Sequence, residues 1–206
     1  MIEAFRSGAD FHAMTASRVF NIPMEQVTPN QRRRAKAVNF GIVYGQQAYG
    51  LANSLKIPRS EAQEMIDRYF EVYPGVRTFL DRCIKLAHRE GYAITLYGRR
   101  RYTPDIASSN FQKRSFAERV AMNHPMQGTA ADIIKMAMVE VPKRIRKEGL
   151  KSKLILQIHD ELDFEVPRDE IDALSALVKD TMEHIVELKV PLIAEVSYGD
   201  NWAEAK

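Results

Sequence analysis

Residues 153–166 read KLILQIHDELDFEV. Leu154, Ile155, Leu156 and Ile158 form a short apolar run, after which Leu162, Phe164 and Val166 alternate with Asp163 and Glu165. Successive side chains of a strand point to opposite faces, so the alternating half reads as a strand with one apolar face. Only His159, Asp160 and Glu161 separate the two runs. The segment therefore folds back on itself as an antiparallel hairpin with these three residues at its tip. This hairpin decides the fold class, because most of the sequence before it carries the period of helix.

Working outward, Ile171, Leu174, Leu177, Val178, Met182 and Ile185 fall on one helical face, and Leu192, Ala194, Val196 and Tyr198 alternate as a closing strand. Upstream, residues 115–148 are helical in pattern, with a break expected at Pro125 and Gly128 and a kink or division at Pro142. Tyr92 to Tyr102 reads as strand, tight turn at Gly98 and strand, with Arg99, Arg100 and Arg101 at the bend. A helix from about Val76 to Glu90 stops at Gly91. The helix before it carries a capping-box pattern at Ser60 and Gln63 and ends at Pro74-Gly75. Gln31 to Tyr44 is a further helix, entered after Pro29. The fold class expected is α+β. A mostly helical, basic lobe over 1–125 precedes an antiparallel sheet with packed helices over 126–206.

Composition narrows the classes. A chain of 206 residues, 45% hydrophobic, can bury a core and is not globally disordered. Its apolar runs are far short of the roughly 20 residues that cross a bilayer. The opening MIEAFRSGAD lacks the order of a secretory signal, so the expected location is cytoplasmic, with no membrane partner. The single cysteine, Cys83, shares the inward helical stripe of Val76, Phe79, Leu80, Ile84 and Ala87, and excludes an internal disulfide framework. The net charge of +3 conceals a polarity along the chain. Residues 1–150 hold 24 Lys+Arg against 14 Asp+Glu, whereas residues 151–206 hold 6 against 13. Basic clusters at Arg32-Arg33-Arg34 with Lys36, at Arg99-Arg100-Arg101, and at Lys113-Arg114 with Arg119 suit phosphate groups, and an acidic lobe suits metal ions.

Two constellations carry chemistry. Arg32, Lys36, Phe40 and Tyr44 recur every fourth residue and so share one helix stripe, about 18 Å long. A planar guanidinium for terminal phosphate oxygens, a point charge for an inner phosphate and an aromatic face for sugar or base would grip a nucleotide lengthwise. The same spacing also fits a helix with a basic solvent edge and Phe40 in the core. At the hairpin tip, Asp160 and Glu161 offer hard oxygen ligands of the kind magnesium takes, one or two carboxylates completed by waters and phosphates. A plain polar turn has the same composition.

The segment RRRAKAVNFGIVYG (Arg32–Gly45) resembles the second signature motif of the family A DNA polymerases, the bacterial DNA polymerase I group. TLYGRRRYTPDI (Thr95–Ile106), AERVAMNHPMQGTAADIIKMAM (Ala117–Met138) and LQIHDEL (Leu156–Leu162) resemble later segments of that family in the same order, covering essentially the whole chain. The resemblance implies a fingers-like lobe over 1–125 and a palm-like portion over 126–206. It implies nucleotidyl transfer from a deoxynucleoside triphosphate to a primer 3′-hydroxyl on a DNA primer-template, with Mg2+ as cofactor. Arg32 and Lys36 would bind the triphosphate, Phe40 would lie against sugar and base, and Tyr44 would hold the templating-base site. Gly41 and Gly45 would let backbone and base approach. Asp160 would be the direct metal ligand, Glu161 a weaker or indirect one, and His159 would lie near the primer terminus. Asn123 and Gln127 would hydrogen-bond the primer-template, and Arg119 would contact the template strand.

The family's other catalytic aspartate belongs to an earlier motif that the 206 residues do not contain. The chain is therefore expected to be a partial catalytic unit, dependent on upstream polymerase segments and inactive alone. Two other readings stand beside this one. The first is a non-catalytic nucleic-acid-binding module. The second is a metal-dependent phosphohydrolase using His159-Asp160, against which His12, His88, His124 and His184 form no ligand spacing.

Overall fold

Residues 1–205 are described by the computed structural model, and they divide into two units, 1–129 and 130 onward. The first unit holds α1 (Ile2–Arg6), α2 (Phe11–Phe20), α3 (Pro29–Val43), α4 (Ala48–Leu55), α5 (Arg59–Val72), α6 (Pro74–Glu90), β1 (Tyr92–Ile94), β2 (Arg100–Tyr102) and the first part of α7 (Phe111–Lys147). The second holds the rest of α7, then β3 (Lys153–Ile158), β4 (Glu161–Glu165) and α8 (Ile171–His184). Helices with two antiparallel hairpins give the α+β class expected.

In the first unit, Val38 and Ile42 of α3 meet Val19 of α2, Leu51 of α4, and Met65 and Tyr69 of α5 in one buried cluster. That burial fixes which side of α3 faces out. The helix start is set locally. Thr28 Oγ1 accepts from the Gln31 backbone N–H at 3.3 Å while Gln31 Oε1 accepts from the Thr28 N–H at 3.0 Å, and Pro29 occupies the first helical position, where no N–H is needed. The capping box thus stands at Thr28, not at Ser60. Pro58 is the cap of α5 and makes no side-chain cap bond, which puts Ser60 already inside the helix, where Gln63 turns to Asp67 instead.

Helix α7 runs unbroken through Pro125, Gly128 and Pro142, contrary to the sequence expectation. A proline inside a helix removes one hydrogen bond and crowds the preceding turn. One turn after Pro125, Thr129 Oγ1 donates to the Pro125 carbonyl and accepts the Leu96 N–H at 3.0 Å, which ties the helix to the β1–β2 segment. Gly128 is there because the β1–β2 segment presses on the helix. A Cβ at that position would sit 2.6 Å from Thr95 Cγ2 and 2.8 Å from His124 Cε1. His124 itself is buried, with Nε2 3.2 Å from the Arg99 carbonyl.

In the second unit Val141 and Ile145 of α7 pack on Leu174, Leu177 and Val178 of α8, with Phe164 and Val166 against them. The β3–β4 hairpin pairs Leu154 with Phe164 and Ile158 with Glu161, and a bulge at Ile155 shifts the register between Leu154 and Leu156. One extra residue carries the next side chains to the other face, so Ile155 and Leu156 are 62% and 48% exposed. Glu170 ties the start of β3 to the helix entry, accepting from the Lys151 and Ser152 N–H groups and from Ser152 Oγ at 2.6 Å. The closing strand expected at Leu192–Tyr198 does not form. Alternation marks a one-sided segment, but a strand needs a ladder partner, and the Ala194 N–H goes to Glu183 Oε1 at 3.0 Å instead. Val196 and Tyr198, placed inward by the pattern, are exposed.

Candidate functional site

Burial of Ala35, Val38, Asn39 and Ile42 leaves Arg32, Lys36, Phe40 and Tyr44 exposed together along α3. Phe40 is 46% exposed, so the arrangement that put it in the core does not apply. The Lys36 ammonium lies 5.9 Å from the Phe40 ring centroid, and the Phe40 and Tyr44 rings stack at 6.4 Å and 18°. Arg32 Nε donates to Asp10 Oδ2 at 2.6 Å, and the Asp10 carboxyl is held below its ordinary range, first by that bond and then by the Ala13 N–H that it caps. The basic triplet divides by role. Arg34 turns to Glu61 of α5 at 2.6 Å as a helix-to-helix tie, while Arg32 and Lys36 face outward with the aromatics.

A residue that spacing did not single out joins the stripe. His12 of α2 lies with its ring 5.8 Å from that of Phe40, and burial first, then the charge of Arg32, holds its imidazole below the usual range. No local pattern carries this contact, because it joins positions 28 residues apart through the pairing of α2 with α3. The only sequence signal was a histidine two residues after the Asp10 helix cap.

At the other end of α3, Gly45 adopts φ +67°, and a Cβ there would meet Met122 Cε at 2.6 Å and Arg119 Cγ at 3.1 Å. Asn123 Nδ2 donates to the Val43 carbonyl at 3.4 Å. Arg119 and Asn123 therefore stand beside Tyr44-Gly45, and Gln127, exposed, follows Asn123 by one helical turn. The close neighbours of Gly41 and Gly45 are the chain's own side chains, with Gln46 Oε1 2.6 Å from a Cβ placed at Gly41.

In the second unit, Ile158 pairs with Glu161, so His159 and Asp160 alone form the turn of the hairpin. His159 holds φ +52°, a left-handed conformation that histidine visits more readily than most residues. Gln157 Nε2 donates to the His159 carbonyl at 2.6 Å and braces the bend. Asp160 and Glu161 are exposed at the tip. Among the described residues no three of His, Cys, Asp and Glu gather to hold an ion. Two adjacent, exposed carboxylates nonetheless fit the partial shell that magnesium takes from protein, the remaining places being filled by water and phosphate oxygen. A histidine-aspartate hydrolase pair on a helix is not the arrangement found.

A family model for DNA polymerase family A matches residues 1–204. The chain belongs to DNA polymerase family A. Among its relatives, this family A chain is 54% identical over 206 residues to DNA polymerase I of Geobacillus stearothermophilus, covering all of this chain and 24% of that protein. It is 49% identical to DNA polymerase I of Bacillus subtilis (strain 168), covering 23% of it. Among solved structures, the POL domain of Pol1 from M. smegmatis, in complex with DNA primer-template and dNTP, matches with a TM-score of 0.94 at 48% identity over all of this chain and 36% of that one. The family A chain thus spans about a quarter of the length of such relatives. Polymerases of this family use divalent metal ions. No helix among the described residues is long and apolar enough to cross a membrane.

Proposed function

We propose that the chain supplies the nucleotide-binding surface and one catalytic carboxylate cluster of a template-directed DNA polymerase acting in the cytoplasm, with residues 1–125 as fingers-like lobe and 126–206 as palm-like portion. The observation that carries this reading is the exposed stripe of Arg32, Lys36, Phe40 and Tyr44 on α3, in a chain that belongs to family A. Arg32 offers its guanidinium to the terminal phosphate of a deoxynucleoside triphosphate, exchanging part of its contact with Asp10 for the ligand. Lys36 neutralises an inner phosphate, and His12 adds a donor beside them. Phe40 covers sugar and base, and Tyr44 marks the templating-base site. Arg119, Asn123 and Gln127 extend the surface toward a DNA primer-template.

Asp160, with Glu161 beside it, would hold Mg2+ at the hairpin tip, and His159 would orient that tip near the primer terminus. An ion held by these carboxylates would supply charge neutralisation for transfer of the α-phosphate to a primer 3′-hydroxyl with release of pyrophosphate. The catalytic set is completed by a second carboxylate from an upstream polymerase segment, so the chain alone does not synthesise DNA.

Titration of the chain with a fluorescent deoxynucleoside triphosphate in magnesium tests the stripe. Lys36→Ala is expected to weaken binding about tenfold to a hundredfold, the worth of a charge-assisted phosphate contact of about 1.5 to 3 kcal/mol. Equal affinity in the folded variant contradicts the assignment.

A further inference from the structure

Asn39 is the one polar side chain on the buried face of α3, and a buried amide is costly unless its hydrogens are placed. Its Nδ2 lies 3.0 Å from His12 Nδ1 and 3.3 Å from Thr15 Oγ1. Thr15 completes the cluster. Its single hydroxyl proton has two acceptors in reach, the Phe11 carbonyl at 2.9 Å and Asn39 Oδ1 at 3.3 Å, and the closer, in the helix's own preceding turn, takes it. Thr15 Oγ1 then accepts from Asn39 Nδ2 and from the Tyr73 hydroxyl at 3.3 Å, which fills both lone pairs. Nδ2 is the amide atom that faces His12 Nδ1, at 3.0 Å, and an N–H aimed at Nδ1 requires that Nδ1 carry no proton.

We infer that Asn39 is a positioning residue that holds His12 as the neutral Nε2–H tautomer, leaving Nε2–H as a fixed donor for a phosphate oxygen beside Arg32 and Lys36. The charges around the ring act in both directions: Arg32 and Lys36 of α3 disfavour a second proton, Asp10 at the start of α2 favours it, and Phe40 and Tyr73 contribute no charge. Asn39 acts where these leave the choice open, because it sets which nitrogen bears the proton and not only how many protons are bound. A neutral donor next to two cations grips a triphosphate by direction and not by added charge, so binding through His12 stays constant across neutral pH. The inference rests on the reading of α3 as a triphosphate grip only in naming the ligand; the tautomer is a property of the chain by itself.

The test is long-range proton–nitrogen NMR of the 15N-labelled chain near pH 8, with the His12 ring assigned by its loss in His12→Gln. The wild-type chain is expected to give the pattern of a protonated Nε2 and an unprotonated Nδ1. Asn39→Asp, which presents an acceptor in the same place, is expected to move the proton to Nδ1 and to make His12 titrate at higher pH. An Nδ1–H pattern in the wild type, or an unchanged pattern in folded Asn39→Asp, overturns the inference; should Asn39→Asp not fold, the wild-type pattern decides alone. Titration with deoxynucleoside triphosphate from pH 6 to 8 separates the two claims. A wild-type binding profile that follows only the ligand's own phosphate titration, with an added step from His12 in Asn39→Asp, supports both, whereas a chain with the Nε2–H pattern that binds no nucleotide refutes the triphosphate reading and leaves the role of Asn39 toward the ring intact.

Discussion

Phe40 separates two uses of one spacing. A residue every fourth position could mark a binding stripe or a basic edge over a core ring, and the pattern was the same for both. What distinguishes them is the identity of the residues between: Ala35, Val38 and Ile42 are small or apolar enough to bury, which turns Phe40 out beside Lys36. The stripe was legible in the sequence because it lies within one element. His12 was not, because its place depends on how α2 docks on α3, and Asn39 was not, because its partners His12 and Thr15 lie on α2, 27 and 24 residues earlier. On the proposed placement of Phe40 against the sugar, Phe40→Tyr in a primer-extending enzyme containing this chain is expected to relax the preference for deoxy over dideoxy nucleotides. Competition between dATP and ddATP during extension measures it, and an unchanged ratio contradicts the placement of Phe40.

The hairpin at 153–166 shows what element-level patterns reach. Both strands and the tip residues were legible, because period two and a short gap leave few alternatives. The bulge at Ile155 was not, since an all-apolar run has no alternation in which a one-residue shift could register. The prolines of α7 were misleading for a related reason: propensity measures the isolated helix, and α7 is held along its length by neighbours such as the β1–β2 segment at Gly128. The Leu192–Tyr198 alternation failed because pairing is decided by a partner strand and not by the segment itself. The turn allows a direct check. His159 holds φ +52°, so His159→Val, with a β-branched side chain in a left-handed position, is expected to destabilise the second unit by about 1 to 3 kcal/mol, whereas His159→Gly keeps the turn. Urea unfolding of the two variants measures the difference, and equal midpoints contradict the geometry.

At the scale of the whole chain, the polarity of charge read from sequence follows the division into units, with the basic stripe in one and the carboxylate tip in the other. The second unit also carries a pH dependence. Ser152 Oγ and the Lys151 N–H hold the Glu170 carboxyl below its ordinary 4.5. A carboxylate with a depressed folded value binds fewer protons folded than unfolded, so its contribution to stability is present above about pH 4.5 and is lost as pH falls through the folded value. Melting of the second unit should therefore decline below that pH, and Glu170→Gln should lessen the decline. Calorimetry from pH 3 to 6 tests this, and parallel curves for the two proteins contradict it.

As proposed, this chain brings the nucleotide grip and one carboxylate cluster to a catalytic set that an upstream segment completes. The most direct measurement is magnesium-dependent primer extension on a DNA template by three proteins. They are the chain alone, the chain joined to the upstream polymerase segment of the Geobacillus stearothermophilus relative, and the joined protein carrying Asp160→Ala. The account predicts extension by the joined protein only. Extension by the chain alone, or extension that survives Asp160→Ala, contradicts it.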